Sequence, residues 1–276
     1  MRGAVFANDE RIYFAAEALK KLGMEIDCAN DYSRGQNLLV KNPQNYDFVL
    51  LPVRGTEDGT ILQSAGTSLF IGDFLKGLSE GTPVFTGRQT EYLRQLNLTL
   101  YDPFKDPEVS KKNAELTAEG VLWFLLEYTK KSLFENSYDV VGAGHTGKAI
   151  TEILRKLRLP VRQAARNGHL DTISMEQWER ETPSDVVIVT VPALVLPVEL
   201  AESWKKPVFV LDISSGQVGA DPKIAELKNI TYYAAPPLPS KVAPESAGVL
   251  IADYIGRIMS DKNIRKANAA PAKNEG

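Results

Sequence analysis

The sequence is poor in the residues that most often carry metal or disulfide chemistry. It has one cysteine, Cys28, and two histidines, His145 and His169, in 276 residues. A single cysteine excludes an intrachain disulfide and points to a reducing compartment. With only two histidines beside it, no His/Cys-rich metal site is supported. Basic charge is not in excess either: 32 Lys and Arg against 35 Asp and Glu leave a net charge of −3, which offers nucleic acid no electrostatic footprint. No apolar run approaches the roughly 18 residues of a membrane span, and the N-terminus lacks the charged-then-apolar signal pattern. These absences describe a cytosolic globular protein, 43% hydrophobic, long enough for two medium domains.

What is present is organised around Asp139-Val140-Val141-Gly142-Ala143-Gly144-His145-Thr146-Gly147. A short apolar strand, a G-x-G-x-x-G turn and an amphipathic helix from Lys148 to Leu157 form the recipe for gripping a pyrophosphate. Gly142 allows the tight turn, Gly144 clears a path for the phosphates, and Gly147 lets helix and strand pack closely. His145 and Thr146 lie inside the loop, whose free N–H groups and partial positive charge suit an anion.

Around this turn the chain alternates strand and helix. Gly3 to Ala7 reads as a first strand, followed by a helix from Asp9-Glu10-Arg11 through Leu22 and a second strand from Met24 to Ala29. Tyr46 to Val53 is a nearly unbroken apolar run, the mark of a strand buried on both faces. A helix near Ile71 to Leu78 and a strand at Pro83 to Thr86 complete an N-terminal α/β domain, residues 1–112, on the substrate side. Residues 113–242 form the NAD(P)-binding domain, entered through a bridging helix from Asn113 to Lys130. Its strands are Tyr138 to Val141, Val161 to Ala165, Asp185 to Val191, Val208 to Ile213 and Ile230 to Ala234, with helices between them, one around Met175 to Glu181. Ala243 to Met259 is a last amphipathic helix within 243–262, and 263–276 reads as a disordered tail. The expected fold class is α/β, two doubly wound domains with the second a Rossmann-type dinucleotide-binding domain.

The cofactor is read from the end of the second strand of that domain. An acid about 20 residues past the glycines usually holds the adenosine ribose, and an Arg there suits a 2′-phosphate instead. Here the strand ends in Ala165-Arg166-Asn167, without an acid. Arg166 offers phosphate a planar fork, with Asn167 and His169 as further donors. NADP is favoured, and NAD is the alternative. Thr190 and Pro192 end the strand Asp185 to Val191, where backbone borders the cofactor ribose. Asp212 and Ser214 end the strand Val208 to Ile213, near the expected nicotinamide.

Hydride transfer from an alcohol normally needs a general acid/base such as His backed by a carboxylate, or Tyr with Lys. Neither histidine is placed for that, which disfavours an ordinary 2-hydroxyacid dehydrogenase. Oxidation of a dihydroaromatic ring asks less of the protein, because aromaticity supplies driving force.

The segments Asn113-Ala114-Glu115-Leu116-Thr117-Ala118-Glu119-Gly120, the glycine turn, Ala165-Arg166 and Ala235 through Gly248 (APPLPSKVAPESAG) resemble those of the dipicolinate synthase family, in its A-type subunits. So does the Leu51-Pro52-Val53 strand end with Gly59 soon after. The resemblance implies an NADP-dependent CH–CH oxidoreductase of the diaminopimelate–lysine branch. Its reaction forms pyridine-2,6-dicarboxylate from dihydrodipicolinate or its hydrated precursor, in the mother-cell cytoplasm of a sporulating bacterium. It also implies a homo-oligomer and, as partner, a second, flavoprotein-like subunit of the B type. Departures from the family pattern fall at Ala7-Asn8, Gly216-Gln217, Pro237 and Ser240.

A dicarboxylate needs cations and hydroxyl or amide donors. Arg54 and Lys241 are the candidate clamps, Thr56, Asn113 and Thr117 the orienting donors, and Glu119 the candidate proton acceptor, so Glu119 and Lys241 form the candidate catalytic pair. The structural alternatives are a solvent-facing Thr117 and Glu119, Asn113 as a helix N-cap and Lys241 as a surface lysine. Two other functions stay open: a non-catalytic NADP-binding sensor or partner protein, and a 2-hydroxyacid-type or opine-type dehydrogenase.

Overall fold

The computed structural model describes residues 1–29, 42–54, 61–64, 67–168, 171–214, 218–235 and 237–269. The chain divides into two compact units, Met1–Ser110 with Ala243–Gly276, and Lys111–Val242. Each is an α/β unit in its own right.

Unit 1 contains β1 (Arg2–Phe6), β2 (Glu25–Ala29), β3 (Phe48–Leu50), β4 (Ile61–Ser64), β5 (Thr67–Phe70), β6 (Pro83–Phe85) and β7 (Thr99–Tyr101). Five of these form a sheet in the order β2-β1-β3-β6-β7, and β4 and β5 pair separately as an antiparallel hairpin. Every pairing within the five-stranded sheet is parallel. Alternation along the strands sends side chains to two cores. Val5, Phe48, Leu50 and Phe85 meet Ile12 and Leu19 of α1 (Glu10–Lys21) and Ile251 and Ile255 of the C-terminal helix Pro244–Ala269. Ala4, Phe6, Val49 and Val84 meet Leu75 of α2 (Gly72–Lys76) and Leu93 of α3 (Glu91–Gln95) on the other face. Strands buried on both faces explain the unbroken apolar runs. The C-terminal helix thus belongs to the core of the N-terminal unit. Its backbone continues to Ala269, so the expected disordered tail is corrected over residues 263–269. No proline or glycine stands between Gly256 and Pro271, and the Lys, Arg and Ala of that stretch favour helix.

Helix α4 (Pro107–Tyr128) starts six residues before the expected Asn113. Asp106 caps it, with Oδ1 accepting from the backbone N–H of Glu108 and Val109, both at 3.0 Å. Asn113 is therefore an interior helical residue, not a cap. Pro107 at the first helical position costs nothing, because its missing N–H would have been unpaired there.

Unit 2 holds β8 (Tyr138–Val141), β9 (Val161–Ala165), β10 (Ile173–Ser174), β11 (Val186–Val189), β12 (Val208–Asp212) and β13 (Ile230–Ala234). Their order is β10-β9-β8-β11-β12-β13, all parallel. Numbered within the sheet this is 3-2-1-4-5-6, the doubly wound order of dinucleotide-binding domains. Tyr138, Val140, Val186, Ile188 and Leu211 pack with α4, α5 (His145–Lys156) and α8 (Leu238–Val242). Val141, Val187, Val189 and Val210 pack on the opposite face with Trp178 of α6 (Met175–Arg180) and Ala201 of α7 (Val198–Glu202). Asp139 is fully buried at the start of β8. It is held by Nε and Nη2 of Arg162, the Trp178 indole and the backbone and hydroxyl of Ser184. A buried carboxylate satisfied by this many donors is tolerable where an unpaired one would not be. Among the described residues no helix is long and apolar enough to cross a membrane.

Candidate functional site

In unit 2 the strand order reverses between β8 and β11, and ligands of such sheets bind outside the carboxyl ends of the strands at that point. The glycine turn lies there. Gly142 has φ +123°, a conformation that side chains rarely adopt, and a Cβ on it would collide with the Thr190 hydroxyl and stand 2.9 Å from Val191. A Cβ on Gly147 would stand 2.8 Å from the Gly142 carbonyl carbon. Gly144, the N-cap of α5, is different: nothing lies within 4 Å of the corresponding position. Two glycines are therefore required by packing, and the third faces open space, as a phosphate-approach position should.

The turn is clamped from both neighbouring strands. The Gly142 N–H donates to Ala164 O at 2.8 Å, and Gln163 Nε2 of β9 donates to the Gly142 carbonyl at 2.9 Å. Just past β11, the N–H and the hydroxyl of Thr190 both donate to Val141 O, at 2.9 and 3.0 Å. Sequence reasoning does not single out Gln163. Its one signal is a polar residue, 5% exposed, inside an otherwise buried strand.

A cavity of about 1530 Å³ opens from this turn. Of the expected cofactor residues Gly142, Gly144, Arg166, Asn167, Thr190 and Pro192 line it. His145, Thr146 and Gly147 form the first turn of α5 beside it without being among its lining residues. One wall is a face of α5 including Lys148, Glu152, Arg155 and Lys156, and Arg166 and Asn167 line the cavity from the end of β9. The lining carries four cations (Lys148, Arg155, Lys156, Arg166) and two carboxylates (Glu152, Asp171), a formal net charge of +2. Lys156 pairs with Glu152 at 2.8 Å, and Arg155 donates to the Asp171 carbonyl at 3.1 Å. Thr151 is 2% exposed in the same wall, and its hydroxyl has no hydrogen-bond partner among the described residues. These features fit a dinucleotide, with the turn and the α5 N-terminus for its pyrophosphate and the cationic end for its adenosine.

Asp212 and Ser214, expected near the nicotinamide, bond within their own segment of the chain. Asp212 is buried, and its carboxylate accepts from Ser214 N at 2.8 Å and from Gly219 N and Ala220 N at 2.9 Å each. The Ser214 hydroxyl accepts from Gly219 N as well. Neither is among the residues that line the cavity.

The expected substrate residues fall in both units. Arg54 is exposed just after β3 in unit 1; Thr56 and His169 lie outside the described residues. In unit 2 the Thr117 hydroxyl donates to the Asn113 carbonyl at 2.8 Å, one turn back along α4, and Glu119 is exposed. The adjacent Gly120 touches α8, where a Cβ would stand 2.5 Å from Leu238 Cβ. Lys241, also exposed, follows one turn on from Leu238 in α8.

No protein-family model matches the chain. It is 26% identical over 235 residues to the A-type subunit of dipicolinate synthase from Bacillus subtilis (strain 168), covering 79% of each chain. Its fold matches the crystal structure of the corresponding dipicolinate synthase polypeptide from Bacillus halodurans with a TM-score of 0.82 at 22% identity, over 94% of this chain and 97% of that one. It also matches an NAD-dependent formate dehydrogenase from Staphylococcus aureus in complex with NAD, with a TM-score of 0.54 at 12% identity, over 99% and 98% of the two chains. The fold is thus dehydrogenase-like, and in sequence as in fold the chain resembles the A-type polypeptide of dipicolinate synthase.

Proposed function

We propose that the chain is an NADP-dependent oxidoreductase that converts dihydrodipicolinate, or its hydrated precursor after loss of water, to pyridine-2,6-dicarboxylate during sporulation. The observation that carries the cofactor half is the glycine turn at the reversal point of a 3-2-1-4-5-6 sheet, with Arg166 standing at the end of β9 where NAD enzymes place an acid. The substrate half rests on the likeness to dipicolinate synthase. When bound, the nicotinamide accepts a hydride from a ring carbon. The chain's own residues then have two tasks: to hold two carboxylates and to receive the proton lost from the neighbouring carbon. Arg54 and Thr56 in unit 1, and Asn113, Thr117 and Lys241 in unit 2, are the proposed carboxylate-holding groups, and Glu119 the proposed proton acceptor. The Thr117 hydroxyl donates to the Asn113 carbonyl and must turn away from it to donate to a carboxylate. The N-terminal unit is the proposed substrate side, and the partners are further copies of this chain and a second, flavoprotein-like subunit.

The test is NADP reduction by the purified chain with freshly generated dihydrodipicolinate, with pyridine dicarboxylate measured in the product. Matched formation of NADPH and product supports the proposal. Tight NADPH binding without turnover, with and without the second subunit, would overturn it in favour of a sensor. Reduction of a 2-keto acid by NADPH would move it to the 2-hydroxyacid class.

A further inference from the structure

Arg166 is one cation lining the cavity at the end of β9, and a phosphate dianion calls for more than one. The α5 wall supplies four charged side chains, of which three are accounted for: Glu152 and Lys156 pair with each other, and Arg155 donates to the Asp171 carbonyl. Lys148 and Arg166 have no ion pair or side-chain hydrogen bond among the described residues, and both line the cavity. Lys148 is exposed at the fourth position of α5, and the first turn of that helix contains no acid to balance it. The helix dipole disfavours a cation near its N-terminus, so nothing in the local folding of α5 asks for a lysine there. An anion in the cavity would.

We propose that Lys148 is a second phosphate-binding cation of this cavity and sets, together with Arg166, the preference for a 2′-phosphorylated adenosine. The assignment rests on the dinucleotide reading of the cavity and goes beyond it by naming which α5 side chain discriminates NADP from NAD. Lys148 contributes from the helix and Arg166 from the end of β9, so the phosphate is held from two elements.

Adenosine 2′,5′-bisphosphate and adenosine 5′-monophosphate, titrated calorimetrically into the full chain, separate this proposal from the reading beneath it. The bisphosphate should bind at least about tenfold tighter, since one charge-assisted hydrogen bond is worth that much. Lys148→Ala should cut that ratio by about tenfold, and Lys148→Arg should restore most of it. Because Lys148 is exposed, the variants should melt with the parent. An unchanged ratio in Lys148→Ala would overturn the role of Lys148 and leave dinucleotide binding intact. Equal binding of the two ligands by the parent chain would overturn 2′-phosphate recognition altogether. Binding of neither would overturn the dinucleotide reading itself.

Discussion

Gly147 stands directly against the carbonyl of Gly142: a Cβ on the helix residue would lie 2.8 Å from the carbonyl carbon of the turn residue, and closer still to its oxygen. That same oxygen accepts from Gln163. The spacing between the turn and the first helical residues is thus set by backbone packing from one side and a side-chain amide from the other.

Gly147 and Gly144 should respond differently to a single methyl group. Gly147→Ala must displace backbone and should destabilise unit 2 by about 2–3 kcal/mol, as overpacked sites do. Gly144→Ala meets nothing within 4 Å and should keep stability within about 1 kcal/mol, the cost of a poorer N-cap. It should nevertheless weaken NADPH binding, because the methyl group occupies the open side of the turn. All three tryptophans, Trp123, Trp178 and Trp204, belong to unit 2, so urea unfolding followed by tryptophan fluorescence reports on that unit. Undiminished NADPH affinity in Gly144→Ala would place the phosphates elsewhere.

The Thr151 hydroxyl is a cost built into α5. It is buried without a partner among the described residues, and valine has nearly the same shape. Thr151→Val should therefore raise stability by about 1 kcal/mol, the lower part of the penalty for an unsatisfied buried hydroxyl. A lower urea midpoint than the parent's would mean that the hydroxyl does have a partner.

Asp185 gives unit 2 a pH-dependent element of stability. Burial works to raise its pKa, but the hydroxyl and N–H of Ser137 and the Lys206 ammonium, which lies 2.9 Å away, outweigh it and hold the carboxyl well below its usual range. A depressed folded pKa means stability that is fully present above the unfolded value, about 3.9, and is lost as pH falls from there through the folded pKa. Asp185→Asn should cost about 1 kcal/mol at pH 7, the charge-assisted bonds being discounted for a carboxylate that is partly exposed. The gap to the parent should narrow below about pH 4. A gap constant from pH 7 to pH 3 would show that the ionised form is not what Ser137 and Lys206 stabilise.

Much of this architecture is legible in the sequence because central parallel strands are apolar on both faces. Tyr138–Val141 and Val161–Ala165 coincide with the expected strands. What the pattern does not reveal depends on neighbours. The edge strands Thr99–Tyr101 and Ile173–Ser174 are short and pair on one side only, which leaves little hydrophobic signal. At the site, the glycine turn declares itself through residues that no other role requires. Gln163 reaches that turn only because β9 sets it opposite Val140, a register that the sequence of β9 alone does not state. Asp212 is a similar case: a strand-end acid serves a ligand or its own loop equally well in sequence, and the donors that Ser214, Gly219 and Ala220 supply to it appear only in the fold.

The contact between Gly120 and Leu238 links packing to the proposed chemistry. Glu119 precedes the glycine and Lys241 lies one turn beyond the leucine, so the seating of α8 on α4 governs how both are presented. Gly120→Ala would place a Cβ 2.5 Å from Leu238 Cβ, and α8 must shift to admit it, at a cost of about 1–3 kcal/mol. The turn at Gly142 and the cavity lining belong to other elements, so NADPH affinity should stay near that of the parent. Turnover of dihydrodipicolinate should fall by about tenfold or more, in keeping with the sensitivity of reaction geometry to displacements of about 1 Å. Leu238→Ala in the Gly120→Ala background would make room for the methyl group and should recover part of the lost rate. Equal loss of NADPH binding and turnover in Gly120→Ala would instead mean that α8 supports the whole of unit 2, and the proposed roles of Glu119 and Lys241 would lose this support.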